Sequence, residues 1–404
     1  MTEPLYPMFS LAERDRRWAA VRKLMGEQGL DVIVAPNNTG HSTDFQANAR
    51  YLTHVGGGSD CDVAAVFPLE GEVSAVANRA KADWHSGMQN WTTDLREARR
   101  DYGKGVVTRL RELGVERGRI GITGLGPGTR TPMGTVLLGF WQQIRDAFPH
   151  AELIDATALL DEVRYIKSAE EIEVLTISQA IIEKAIAAEI AAARVGVRDW
   201  DVWAEVMYAL AKNGSELPVH CHWGSGPNCS HAPTRPTFRR LERGDLIINE
   251  IEASWIGYRA QAVQPVFVEV AHPAHQELIK LQRGIYDTLL ERLRPGVTVG
   301  KLAALTEATC AKLAPKSGPA ANATAGLNMH GRGAGDDGPL ITPSQRRPEQ
   351  LAVALRENMV FIFKPYVITA DESSECNWGD TIVITPAGGR RLGKRPHDLA
   401  IAKG

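Results

Sequence analysis

Polar residues with no evident structural role concentrate in the second half of the chain. They lie within residues 220–228, 230–231, 249–252 and 330–333, and Lys364 follows an apolar run further on. Histidine, glutamate and lysine are side chains that transfer protons and hold charged substrates. We therefore predict that these segments meet in one polar pocket that carries the chemistry of the protein.

Two glutamates lie on a predicted strand. Glu250 and Glu252 follow the apolar residues 246–248, and successive side chains of a strand point to opposite faces, so both should share a face with Ile248. A carboxylate at the end of a buried strand needs a partner or a proton, because burying an isolated charge is costly. The alternative is an edge strand whose glutamates face water.

Lys364 poses a similar question, because it lies directly after the apolar residues 359–363 and before Pro365. Its ammonium group either reaches water at the strand end or pairs with a buried carboxylate. We expect the pair, because the neighbouring segment supplies two acids, Glu250 and Glu252, that have no evident partners.

The histidines are candidates for proton transfer, since the pKa of this side chain lies near neutral pH. His231 lies in the turn-rich residues 227–233, and loops on a rigid scaffold often carry catalytic groups. His330 precedes Gly331, where a small residue permits the close approach of a ligand. His220 and His222 lie two apart on a strand and share a face, which is either the pocket side or the opposite one. A purely structural role is the alternative for each histidine.

The elements that must position these residues suggest two domains, as expected for 404 residues. Helices and strands alternate over the first 155 residues, which is typical of an α/β domain. Its predicted helices are residues 11–30, 96–114 and 133–148, and its predicted strands are 31–36, 63–67, 73–76 and 120–123. Ser168 with Glu171 three residues later is a capping-box pattern that opens a long helix. We place the domains at residues 1–160 and 161–404.

The second domain mixes helices with strands of an antiparallel sheet, an α+β arrangement. Its predicted helices after the opening one are residues 198–213, 272–292 and 298–314, and its predicted strands lie near 219–224, 244–270, 359–369 and 379–385.

Composition excludes several classes of protein. Lys and Arg number 46 and Asp and Glu 48, a net charge of −2 that argues against a nucleic-acid partner. No apolar stretch approaches the roughly 20 residues that span a bilayer, and no signal peptide is recognisable, so we expect a cytoplasmic protein without a membrane partner. The five cysteines include no C-x-x-C pair and suggest neither disulfides nor a zinc knuckle. Gly-rich phosphate loops, H-E-x-x-H and G-x-S-x-G motifs are absent.

Several short motifs occur in one order along the chain. They are Ile166–Ile172 opening a helix, Ser225–Asn228 with His231, Gly244–Leu246, His330-Gly331-x-Gly333, Met359–Phe361 and Gly379–Thr381. Together they resemble the creatinase, prolidase and aminopeptidase P family over the whole chain. The resemblance implies a pita-bread catalytic domain preceded by a smaller, creatinase-like α/β N-terminal domain.

Most proteins that resemble this pattern are dinuclear metal peptidases with two Asp, one His and two Glu as ligands. By the resemblance these five positions fall on Glu250, Gln261, His330, Lys364 and Gly379. Only the histidine is kept, and Lys364 places a positive charge where a carboxylate would bridge two divalent ions. Hard ions need several oxygen ligands, so we expect no metal site and no cofactor.

Metal-free branches of the same fold provide a second comparison. His231 resembles the catalytic histidine of creatinase, which hydrolyses a C–N bond, and Glu250 matches a glutamate in the pattern of ectoine hydrolase. Tyr258 fits both patterns. The acid that should follow this tyrosine in creatinase falls near Val263 and Gln264, and Lys364 replaces another glutamate. Creatine is therefore not the expected substrate.

The expected function is metal-independent hydrolysis of a non-peptide C–N bond, in an amide, amidine or ureido group of a small zwitterionic amino-acid derivative. His231, Glu250 and His330 are the expected catalytic residues. The residues expected to hold the substrate are Glu252, Tyr258, Gln261, Lys364, His222 and Arg332. Three alternatives stay open: a metal-dependent Xaa-Pro peptidase, a catalytically inactive binding protein, and a lyase.

The resemblance also implies a homodimer. In the family the N-terminal domain of one subunit borders the active site of the other. We expect the loop of residues 54–60 to lie near the cleft of the partner subunit, and the alternative is a simple connector between two strands.

Overall fold

The computed structural model describes residues 5–37, 47–56, 62–79, 88–217, 219–227, 235–335 and 337–403. The chain divides into two compact units, and residues 334–337 belong to the first although they lie far along the sequence. The first unit otherwise comprises residues 1–170, and the second comprises 171–333 and 338–404. Residues 57–60 of the predicted partner-facing loop lie outside the described residues.

The first unit is built around a six-stranded mixed sheet. Its elements are α1 (Leu11–Gln28), β1 (Val32–Ala35), α2 (Ala47–Thr53), β2 (Val63–Pro68), β3 (Ser74–Ala77), β4 (Asp94–Glu97), α3 (Tyr102–Glu112), β5 (Arg119–Ile122), α4 (Leu138–Ala147), β6 (Glu152–Asp155) and α5 (Thr157–Tyr165). The strand order is β4-β3-β2-β1-β5-β6, and α3 and α4 pack against the apolar face of the sheet. The α/β prediction for this part is confirmed.

Two local predictions for the first unit differ from the structure. Residues 94–97 form strand β4 instead of the start of a helix, because they pair in parallel with β3 and Ser74 donates a hydrogen bond of 2.5 Å to Asp94. The predicted domain boundary after residue 160 falls inside α5. The first unit extends to residue 170 and therefore contains this whole helix.

The second unit combines long helices with three sheets. Its elements are α6 (Ala169–Ala192), α7 (Asp199–Lys212), β7 (Cys221–Gly226), β8 (Leu246–Trp255), β9 (Tyr258–Ala262), β10 (Val266–Val268), α8 (Pro273–Leu290), α9 (Val299–Leu313), β11 (Thr324–Gly326), β12 (Met329–Gly331), β13 (Leu340–Ile341), α10 (Pro348–Leu351), β14 (Val360–Phe363), β15 (Tyr366–Ile368), β16 (Glu375–Asn377), β17 (Asp380–Thr385), β18 (Gly388–Arg391) and β19 (Ala400–Ala402). The α+β prediction is confirmed, as is the start of α6 directly after Ser168.

Two sheets of the second unit carry the polar residues. The first has the order β19-β10-β8-β7, with β9 also paired to β8, and the second has the order β13-β12-β14-β17-β18. The stretch 244–270, predicted as strand, contains β8, β9 and β10. Ile256 and Gly257 turn the chain between β8 and β9 with positive φ angles of 45° and 84°. In the described part of the chain, no helix is long and apolar enough to cross a membrane.

The apolar face of the first of these sheets packs against α6 and α7. Ile247, Ile251 and Ala253 of β8 are fully buried there. Trp223 of β7 lies on the same side, and its indole donates a hydrogen bond of 2.6 Å to Asp199 at the start of α7. These buried residues are all odd-numbered. Because successive strand residues point to opposite faces, the even-numbered residues of β7 and β8 point away from α6 and α7.

A buried carboxylate fixes β8 to α6. The side-chain amide of Asn249 donates to both oxygens of Glu189, at 2.9 and 2.8 Å, and to the backbone carbonyl of Gln264 at 2.9 Å. Glu189 is fully buried. Burial raises the pKa of Glu189 to about 8, although the hydrogen bonds from Asn249 oppose this shift.

The raised pKa predicts that Glu189 makes stability depend on pH. The unfolded chain loses this proton near pH 4.5 and the folded chain near pH 8, so the free energy of unfolding should fall as pH rises between these values. Because the Gln side chain stays neutral, the free energy of unfolding of Glu189→Gln should rise by about 4 kcal/mol relative to that of wild type between pH 4.5 and pH 8. Urea unfolding at several pH values measures the difference.

Glu205→Gln, an exposed glutamate on α7, is the matched control and should follow the wild-type curve. A difference between Glu189→Gln and wild type that stays constant from pH 4.5 to pH 8 would show that Glu189 is already charged in the folded protein.

Candidate active site

The two glutamates of β8 share a face, as predicted, and the structure shows that this face lies opposite the α6 and α7 core. The amide nitrogen of Gln261, on the neighbouring strand β9, lies 3.5 Å from Glu250 and 3.2 Å from Glu252. Glu252 and Gln261 are direct cross-strand partners. The alternative of glutamates that face water on an edge strand is excluded, because β8 is paired on both sides and Glu252 is buried.

Lys364 forms the predicted ion pair with a carboxylate. Its ammonium group donates to Oε1 of Glu250, and the side chains of Lys364 and Glu250 are only 2% and 12% exposed. Burial by itself would raise the pKa of Glu250. The ammonium of Lys364 and a hydrogen bond from His220 outweigh burial and hold this pKa well below its usual value. Glu250 is therefore a charged carboxylate at neutral pH.

Glu252 lies deeper and is shared by two guanidinium groups. Nη2 of Arg332 lies 2.6 Å from Oε1 of Glu252, and Nη1 of Arg259 lies 3.2 Å from Oε2. All three side chains are 2% exposed. Both oxygens of Glu252 thus have a charged donor, which offsets the cost of burying this carboxylate.

Two histidines line the outer side of Glu250. His222 is the direct cross-strand partner of Glu250, and the backbone carbonyl of His220 accepts a hydrogen bond of 3.1 Å from Glu252. Nε2 of His220 and Nδ1 of His222 lie 3.8 and 3.9 Å from Oε2 of Glu250. The two imidazole side chains are 39% and 43% exposed, so this end of the site is open to solvent.

His330 shares a sheet face with two residues of this cluster. His330 of β12 is the cross-strand partner of Ile362 of β14. The same pairing extends to Arg332, whose backbone N–H donates a hydrogen bond of 2.9 Å to the carbonyl of Val360. Residues two apart on a strand share a face, so His330 lies on the same side as Arg332 and Lys364. His330 itself is buried.

One predicted contact is corrected by the structure. Tyr258 lies on the opposite face of β9 from Gln261, and its hydroxyl donates a hydrogen bond to Glu171 of α6. It is therefore a structural residue between β9 and α6 instead of a substrate contact. Arg259 takes its place in the site and was missed, although strand alternation with Gln261 points to this residue.

Two other outcomes concern histidines. His231, the predicted proton carrier, lies outside the described residues. His222 is among the expected substrate-binding residues and His220 is not, yet His220 lies as close to Glu250. The two-residue spacing was the signal that both histidines share a face, but only the pairing of β7 with β8 shows which face that is.

The residues present do not fit the two-metal centre that the resemblance implies. Lys364 holds Oε1 of Glu250, where an ion would bind, and Gln261 offers a neutral amide. Gly379 has no side chain, and a Cβ atom added there would overlap the Cβ of Lys364. Two divalent ions would meet a fixed ammonium group and too few charged oxygens.

Comparison with family models covers both units. Residues 173–386 match metallopeptidase family M24, and residues 17–166 match the creatinase/prolidase N-terminal domain. These two matches correspond in order to the catalytic and N-terminal domains expected from the motifs.

Similar curated proteins have different names. A creatinase of Bacillus sp. (strain B-0618) is 24% identical over 310 residues, covering 75% of this chain and 72% of the relative. An Xaa-Pro dipeptidase of Pyrococcus horikoshii is 25% identical over 281 residues, covering 69% of this chain and 75% of the relative.

Solved structures show the same fold over almost the whole chain. An X-Pro aminopeptidase from Thermotoga maritima superimposes with a TM-score of 0.75 at 18% identity, covering 95% of this chain and 99% of the other. A prolidase from Thermococcus sibiricus also gives 0.75 at 18% identity, covering 98% and 100%. The chain therefore has the pita-bread architecture with an N-terminal creatinase/prolidase domain, and it belongs to metallopeptidase family M24, a family of hydrolases.

Proposed function

We propose that this protein hydrolyses a non-peptide C–N bond in a small zwitterionic amino-acid derivative, without the two-metal centre of its peptidase relatives. The observation that carries this proposal is the buried ion pair between Lys364 and Glu250. A fixed ammonium group cannot be exchanged for a divalent ion without leaving a buried charge uncompensated. The similarity to a protein named creatinase supports the choice of a non-peptide C–N bond.

The charges of the site support a substrate that carries a carboxylate. Among the described residues, the carboxylates of Glu250 and Glu252 face three permanent cations, Lys364, Arg259 and Arg332. Cationic groups beside the site favour a substrate that carries an anionic group such as a carboxylate. Glu250 offers its Oε2 atom to a cationic or polar nitrogen at the open end.

The hydrolysis needs a nucleophile and a proton for the leaving nitrogen. Either Glu250 takes a proton from water, whose oxygen then attacks the substrate carbon, or Oε2 of Glu250 attacks the carbon and water releases the product afterwards. An imidazole protonates the nitrogen as the C–N bond breaks. The sequence assigns this role to His231, and His222 lies 3.9 Å from Glu250. Lys364 and His330 stabilise negative charge that develops on the substrate.

A metal-dependent Xaa-Pro peptidase is the second candidate, favoured by the similarity to proteins with that name. With the two-metal centre that the resemblance implies, it requires that an ion displace Lys364 from Oε1 of Glu250. The two candidates differ in their response to metal removal and in their substrates, so one set of assays distinguishes them.

The first functional prediction concerns metal removal and Glu250. Protein stripped with a chelator should hydrolyse at least one member of a panel of ureido, amidine and cyclic amide derivatives of amino acids. Glu250→Gln should lower kcat at least about 1000-fold, because the neutral amide neither accepts the proton nor attacks carbon. Turnover is measured by release of the amine or ammonia.

Glu357→Gln, an exposed glutamate of the same unit, is the control and should retain full activity. Cleavage of Xaa-Pro dipeptides that appears only after manganese, cobalt or zinc is added would instead establish the peptidase.

The second functional prediction concerns the ion pair that carries the proposal. Lys364→Met leaves Glu250 charged and without its cation, and should lower the free energy of unfolding by about 3 kcal/mol. The double variant Lys364→Met/Glu250→Gln removes both charges, so its loss should be smaller than the sum of the single losses by about 1 to 3 kcal/mol. Urea unfolding of the four proteins measures this coupling.

Lys312→Met, at an exposed position of α9, controls for the loss of a lysine and should be nearly neutral. Strictly additive single losses would mean that Lys364 and Glu250 do not interact, and the main argument against the two-metal centre would then be lost.

A further inference from the structure

We infer that His220, His222 and Glu250 form a binding site for one transition-metal dication of the zinc or cobalt type, at the open end of the pocket. One ligand atom from each residue lies within 4.8 Å of the other two. Two imidazoles with one carboxylate are a donor set that zinc and other first-row transition metals use, with positions left open for water. Only Glu250 is shared with the two-metal centre that the resemblance implies.

The strand pairing brings the three side chains together. His222 is directly opposite Glu250 in the β7–β8 ladder, and the hydrogen bond of 3.1 Å between Glu252 N and the His220 carbonyl continues that ladder. His220 therefore projects from the same face as His222, and their ring centroids are 4.1 Å apart. The backbone pairing of β7 with β8 thus places His220, His222 and Glu250 together without the help of a bound ion.

The distances are close to those of a bound ion. Ligands at about 2.0–2.1 Å from a tetrahedral zinc ion lie roughly 3.4 Å from one another. Nε2 of His220 and Nδ1 of His222 are 3.8 and 3.9 Å from Oε2 of Glu250. Small side-chain rotations would close this gap, and the two imidazoles are about 40% exposed, so solvent surrounds part of each ring.

The two oxygens of Glu250 have different partners, which allows an ion and Lys364 to be bound together. The ammonium of Lys364 contacts Oε1, whereas the imidazoles converge on Oε2. The positive charge of Lys364 lowers the affinity for any dication. Imidazole nitrogen favours zinc, cobalt or nickel, whereas magnesium and calcium require more oxygen ligands.

Binding of zinc and cobalt ions to chelator-stripped protein tests the inference, and this measurement does not depend on the proposed hydrolysis. Calorimetry should show one saturable equivalent of zinc, and cobalt should give visible absorption bands typical of four or five ligands. His220→Ala and His222→Ala should each weaken binding at least about tenfold. Magnesium should not compete.

Two further variants sharpen the test. His150→Ala removes an exposed histidine of the first unit and should bind zinc as wild type does. Lys364→Met removes the repelling charge and should tighten zinc binding by about tenfold or more. Wild-type protein without a saturable site, or a His220→Ala/His222→Ala double variant that binds as wild type does, would overturn the inference. Both histidines are half exposed, so these substitutions leave the fold intact.

Discussion

The buried ion pair between Lys364 and Glu250 is the interaction on which the chemistry of this site depends. Lys364 is held at the end of β14 and Glu250 in the middle of β8, so the pair connects the two sheets that carry the polar residues of the site. Replacing the pair by two ordinary apolar side chains would cost little, whereas removing one partner leaves a buried charge. Loss of Lys364 alone is therefore unfavourable. With Lys364 present, the site does not fit the two divalent ions that the family resemblance implies. In the proposed hydrolysis, carboxylate, imidazole and ammonium groups take the place of that two-metal centre.

Buried carboxylates lie on both faces of strand β8, and their surroundings differ between the two faces. On one side the neutral amide of Asn249 donates hydrogen bonds to Glu189, and burial raises the pKa of Glu189 to about 8. On the other side Glu250 and Glu252 face an ammonium and two guanidinium groups, and the ammonium of Lys364 together with a hydrogen bond from His220 keeps the pKa of Glu250 below its usual value. The same residue type is therefore neutral and structural on one face but charged and available for chemistry on the other. The distinction comes from the partners of each carboxylate and not from its depth.

The sequence predicted the site up to the point where pairing between distant strands decides the answer. Alternation along β8 correctly placed Glu250 and Glu252 on one face, and the apolar run before Lys364 correctly predicted a buried pair. Alternation also left His220 and His222 on an unspecified face, because their direction depends on the pairing of β7 with β8. Tyr258 is expected at the substrate only because of the family resemblance. Its neighbour Arg259 points into the site, so Tyr258 points to the other face, towards α6. The sequence does not predict strand β4 for a related reason, since a half-buried edge strand with Asp, Arg and Glu carries no apolar pattern.

Gly379 shows why the lost ligands cannot be restored one at a time. A Cβ atom at this position would overlap the Cβ of Lys364 and lie 3.1 Å from the carbonyl of Phe363, so the backbone here accepts only glycine. Changing Lys364 to glutamate would therefore supply one carboxylate beside Glu250, while Gln261 stayed neutral and Gly379 stayed without a side chain. Two carboxylates without a cation would repel each other, and at least one would take up a proton. The absence of the two-metal centre is thus a joint property of strands β9, β14 and β17, and its replacement by an ion pair involves the backbone as well as the side chains.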